Sequence, residues 1–73
     1  MLCKNLTEVK KRVATMLPPL IADGYRIIGR FSTTNTHFVS MRHVRNRAVL
    51  TITASVSEYT IKRNGKTVKR EPF

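Results

Sequence analysis

Two histidines, His37 and His43, are the side chains best suited to acid–base chemistry near neutral pH. On one extended strand, about six residues hold them about 20 Å apart, too far for both to act on a single substrate atom. Each is therefore expected to be a hydrogen-bonded structural histidine rather than a catalyst. A metal site is not expected, because zinc-type sites use ligands paired at short spacing and Cys3, His37 and His43 are not so paired. The acids Glu8, Asp23, Glu58 and Glu71 fall in separate elements and make no carboxylate pair. Gly24, Gly29 and Gly65 are too scattered for a phosphate-binding loop. Together these features predict a protein that is not an enzyme and uses no cofactor.

Charge is the stronger signal. Fourteen Lys and Arg against four Asp and Glu give a formal net charge of +10 in 73 residues, and a pI near 11.0. Such a field attracts nucleic acid, acidic protein surfaces and anionic lipid, and says nothing about fold. Hydrophobic residues make up 41% of the chain and are spread through it, so neither disorder nor a membrane span is expected. Lys4, Asn5, Glu8 and Lys10 interrupt any apolar run near Met1, so no secretory signal is predicted and the expected location is cytoplasmic. On that basis the glycosylation sequon Asn5-Leu6-Thr7 is read as accidental, and the lone Cys3 is given no structural role.

The basic residues must be positioned by an α+β fold: one N-terminal helix packed on a four- to five-stranded antiparallel β-meander, in one small domain spanning residues 1–73. Asn5 followed by Glu8 predicts a helix start, with Asn5 accepting from free amides and Glu8 reaching back. Leu6, Val9, Val13, Met16, Leu17 and Leu20 then cluster within about 100° of arc. Pro18-Pro19 predicts an end or kink after about Leu17, with one further turn to Asp23 and a cap at Gly24. From Tyr25 the period changes to two. Strands are predicted over 25–31, 37–44, 47–54, 58–63 and 66–70. Asn35 is a candidate for the left-handed position of the first turn, and Glu71-Pro72-Phe73 is expected to fray.

Asn64-Gly65 defines the last hairpin, since Asn followed by Gly best tolerates the two positive φ values of a type I′ turn. A two-residue turn pairs Arg63 with Lys66, Ile61 with Val68 and Tyr59 with Arg70. With even-numbered loops elsewhere, one face collects Ile27, Phe31, Val39, Met41, Leu50, Ile52, Tyr59, Ile61 and Val68 beneath the helix, and both histidines share that side. The other face has no second helix to cover it. It is predicted to carry Arg26, Arg30, Arg42, Arg47, Lys62 and Lys69, six of the fourteen basic residues, with Phe38 among them.

That face predicts the function. Cations neutralise phosphates and an exposed aromatic stacks a base, which is how sheet-faced single-strand binders work. The expected protein is a small non-enzymatic nucleic-acid-binding protein that uses Arg26, Arg30, Phe38, Arg42, Arg47, Lys62 and Lys69. A secondary basic patch is read from Arg63 and Lys66 at the hairpin tip and from Lys10 and Lys11 on the helix. The alternative is a basic inhibitor or adaptor, of the phage or mobile-element kind, that docks on an acidic surface of a nuclease or polymerase. A homodimer seam through Phe38, Ile28 and Val49 competes for the same face.

A helix, then Gly24-Tyr25 and a strand, then Thr36-His37-Phe38 opening another strand, resembles the HicA-type toxins over about half of the chain. Those are small basic RNA-cleaving proteins with a double-stranded-RNA-binding-like fold and a catalytic histidine at the start of a strand. The resemblance implies a catalytic role for His37 and a helix after the third strand. At that point this sequence departs from the pattern and runs into the Asn64-Gly65 hairpin.

Overall fold

The structure is a computed structural model that describes residues 4–73; Cys3 lies outside the described residues. Asn5 opens helix α1 (Leu6–Asp23) with an extended backbone, its Oδ1 accepting the Glu8 amide at 3.1 Å. The Glu8 carboxylate reaches back as expected, but it accepts from the amide of Lys4 rather than from that of Asn5. Val9, Val13 and Leu17 are buried along one stripe, with Leu6 and Leu20 packed partly against the same core.

The helix does not stop at Pro18-Pro19. It runs on to Asp23 as one element. The prolines remove the N–H groups that would reach the carbonyls of Ala14 and Thr15. Both of those residues are exposed, so water can take the released carbonyls. The last turn is held from outside instead. The amide of Gly24, at φ 115°, caps Ile21 and Leu20, Arg26 Nη1 donates to the Ile21 carbonyl at 3.3 Å, and His43 Nε2 donates to the Asp23 carbonyl at 2.8 Å.

Five antiparallel strands follow: β1 (Tyr25–Ser32), β2 (His37–His43), β3 (Val49–Ala54), β4 (Glu58–Arg63) and β5 (Lys66–Pro72). They form one open sheet in the order β1-β2-β3-β4-β5, so the fold is α+β with an N-terminal helix packed on a meander. The helix lies against β1, β2 and β3, leaving β4 and β5 beyond it. Its partners in the core are Tyr25, Val39, Met41, Ala48, Leu50, Ile52 and Ala54. After β3 the chain enters the β4–β5 hairpin, where the toxin resemblance implies a helix.

The central register follows the predicted parity. Val39 faces Ile52, Met41 faces Leu50, and Ile52 faces Ile61. At the hairpin, Asn64 (φ 51°) and Gly65 (φ 84°) both take positive φ, as the type I′ turn requires. Asn64 also ties the tip to β3: its amide donates to the Val49 carbonyl at 2.8 Å, and its Oδ1 accepts the Val49 amide at 2.9 Å.

Both outer strands depart from simple alternation. In β1, Ile27 pairs with Met41 and Gly29 with Ser40, leaving Ile28 as an extra residue in a bulge. In β5, Ile61 pairs with Lys69 and Lys62 with Thr67, leaving Val68 as the extra residue. One inserted residue moves every later side chain to the other face. Phe31, which follows the first bulge, and Val68, which is itself the extra residue of the second, were predicted in the core and are exposed at 62% and 57%.

Three local expectations also change. Arg47, not Asn35, takes a left-handed conformation, at φ 59°; the Ser32–His37 connection is instead closed by the Thr33 amide on the Thr36 carbonyl at 2.8 Å. Arg47 consequently sits in the turn before β3 rather than on the strand. The tail is pinned: the Phe73 amide donates to the Ser57 carbonyl at 3.0 Å, and its ring packs 5.3 Å from that of Tyr59.

Candidate nucleic-acid interface

The face of the sheet away from α1 has no second layer among the described residues. Cross-strand pairing arranges it in rows. One row runs Phe31, Phe38, Thr53, Thr60, Arg70, and the next runs Gly29, Ser40, Thr51, Lys62, Thr67. Beside them Arg26 is paired with Arg42, and Arg42 with Val49.

The aromatic end is a stacked pair. The rings of Phe31 and Phe38 lie 4.5 Å apart with 13° between their planes, an offset-stacking geometry whose exposed outer surface can receive another flat ring. At the opposite end, Thr53, Thr60, Lys62, Thr67 and Arg70 line a shallow depression of about 310 Å³. Hydroxyl donors beside Lys62, and beside an Arg70 whose charge is shared with Glu58, suit an anion such as a phosphate. Arg70 is held there by Glu58, through Nη2 to Oε1 at 2.8 Å and Nε to Oε2 at 3.3 Å. The hydrogen bonds from Arg70 hold the Glu58 carboxyl below its ordinary pKa.

The structure redistributes the residues expected on this face. Phe38, Arg42 and Lys62 lie on it as predicted. Arg26 has its backbone there, but its Nη1 turns to the carbonyls of Ile21 and Tyr25 at the helix C-terminus. Arg30 pairs with Val39 and Lys69 with Ile61, which puts both on the helix side of the sheet, where Lys69 lies 3.6 Å from Glu71. Arg47 leaves the face for the turn. Phe31 and Arg70, which alternation hides, take their places. Gly29 inside a predicted strand was a usable sign of the first bulge. The second, at Val68, has no such marker.

The secondary patch divides. Arg63 pairs with Lys66 at the hairpin tip, on the side of Leu50. Lys10 instead lines a cleft with Arg30 and His37, and Lys11 is exposed on the helix.

The histidines differ in surroundings. His43 is saturated: Nε2–H donates to Asp23, Nδ1 accepts the Arg45 amide at 3.1 Å, and the ring meets Tyr25 edge-on at 4.9 Å. His37 is 8% exposed, with Nδ1 2.8 Å from Ser32 Oγ. Burial, and then the charges of Lys10 and Arg30, push its pKa below the ordinary imidazole value. Among the described residues no His, Cys, Asp or Glu cluster could hold a metal ion, and no helix is long and apolar enough to cross a membrane. Compared with protein-family models, curated proteins and solved structures, the chain matches none.

Proposed function

We propose that the protein is a non-enzymatic binder of single-stranded nucleic acid, which lies across the open face of the sheet. The observation that carries this reading is the stack of exposed Phe31 on half-buried Phe38, on the same face as Arg42 and Lys62, in a chain of net charge +10. Bases stack on the aromatic pair, while backbone phosphates meet Lys62, Arg70 and the threonine hydroxyls between them. Stacking contributes about 1–3 kcal/mol per base and tolerates any sequence, so binding is expected to discriminate strandedness more than sequence.

The test is binding of labelled single- and double-stranded DNA and RNA across a salt series. About three phosphate contacts give a slope near −2 in log K against log salt for a single strand. Phe31→Ala with Phe38→Ala removes the preference for single strands, whereas Arg42→Ala with Lys62→Ala flattens the salt slope. Equal, weak binding of all four polymers that vanishes by physiological salt excludes this reading.

The second reading is an inhibitor or adaptor that docks on an acidic protein surface. Its support is apolar: Ile28 and Val44, exposed at 54% and 59%, lie near the paired Arg26 and Arg42. It predicts a saturable one-to-one protein complex that survives nuclease treatment.

A further inference from the structure

On the other side of the sheet, between α1 and β1, lies a cleft of about 370 Å³ that shares only Phe31, at the sheet edge, with the open-face reading. Its walls divide chemically. Val13, Ala14, Leu17, Phe31 and Val39 are apolar, whereas Lys10, Arg30, Ser32 and His37 are polar, and no carboxylate lines it. Arg30 is there because the Ile28 bulge turns it away from the open face. Lys10 is there because it lies one helical turn before Val13 and Ala14, which line the same cleft. Two cations thus line one cleft with a buried imidazole, and no carboxylate lines it beside them.

We propose that this cleft is a binding site for a phosphoryl group, with Lys10 and Arg30 as its charged partners and Ser32 and His37 as its hydrogen-bonding wall. The apolar wall suits the body of an organic phosphate better than a bare ion, so a phosphate monoester is the class of ligand. A dianion between the two cations reverses the electrostatics felt by His37. The groups facing that ring are Lys10 from α1, Arg30 and Ser32 from β1, and Ala54 across the ladder in β3. Without a ligand the cations oppose an imidazolium, and with one the phosphate favours it. Binding therefore takes up a proton at His37.

The experiment is a pH titration of the histidine ring signals by NMR, in phosphate and in chloride at matched ionic strength, since salt alone screens Lys10 and Arg30. The expected result is an upward move of the His37 midpoint in phosphate only, with the His43 signals indifferent to the anion. Lys10→Ala with Arg30→Ala, both exposed positions, lowers phosphate affinity by about tenfold or more. The same spectra report that the fold is kept. Identical His37 curves in the two anions, or a double variant that responds like the parent, overturns the proposal. A 5′-mononucleotide and a single-stranded oligonucleotide with a 5′-phosphate then separate two sources of the group. Whichever moves His37 at the lower concentration is the source. If neither exceeds the nucleoside and the 5′-hydroxyl oligonucleotide, the assignment fails.

Discussion

In β2 and β3 every side chain lies on the face that period two assigns to it, with Val39, Met41, Leu50 and Ile52 under the helix and Phe38, Arg42 and Thr51 on the open side. In β1 and β5 the alternation holds only as far as a bulge, after which Arg30 and Lys69 turn toward the helix side while Phe31 and Arg70 turn away. The difference follows from neighbours. An extra residue in a central strand has to be accommodated by two ladders, whereas in an edge strand only one is interrupted. A bulged edge also twists away from foreign strands, so both exposed edges of this sheet are poor templates for edge-to-edge pairing. Bulges therefore do two things here: they protect the rims of an open sheet, and they decide which cations each face receives.

The largest effect should separate a central position from an edge one of similar hydrophobicity. Met41 is fully buried, and Met41→Ala is expected to cost about 2–5 kcal/mol, enough to unfold much of so small a domain. Phe31→Ala, although it removes a larger side chain, is expected to cost about 1 kcal/mol, most of it the stack with Phe38. Denaturant unfolding of the two variants measures the contrast. Equal losses mean that Phe31 is buried and that β1 has no bulge.

A smaller effect is expected where the helix joins the sheet. Gly24 has φ 115°, and a Cβ there falls 2.7 Å from His43 Nε2. Gly24→Ala is expected to cost about 1–3 kcal/mol through backbone strain and displacement of the His43 clamp. In a double-mutant cycle with His43→Ala the costs should fall short of additive, because the second change removes the clash. Strict additivity breaks the link between clamp and cap.

The smallest effect concerns His37. Its pKa is lowered in the folded chain by burial and then by Lys10 and Arg30, so the folded state binds its proton less readily than the unfolded state. Stability is fully present above the unfolded value, near 6.5, and is lost as pH falls through the folded one. His37→Gln should flatten that part of the stability profile. Thermal unfolding between pH 7 and pH 5 measures it, and an unchanged slope in the variant assigns the dependence to another group.

Much of the fold was legible because its signals are local. Asn5 with Glu8, the apolar stripe from Leu6 to Leu20, and Asn64-Gly65 each act within a few residues, and the even turns carried the right parity through β2, β3 and β4. The candidate site was legible in part. Phe38, Arg42 and Lys62 come from strands with neighbours on both sides, while Arg30, Arg47 and Lys69 were misplaced where an edge or a turn set the geometry.

By itself the sequence determined the number and kind of elements, the capped start of the helix, the last turn and the inner faces of the central strands. Periodicity and turn chemistry are properties of short stretches, and they hold wherever those stretches are placed. Only the tertiary structure decided that α1 continues through Pro18-Pro19, that Ile28 and Val68 bulge, and that Lys10, Arg30 and His37 meet in one cleft. Each of those is a choice between local alternatives of similar energy, and contacts distant in sequence settle it. The His43 clamp and the Arg26 contact hold the last helical turn, and the single ladder on each outer strand lets it take up one residue more than its partner.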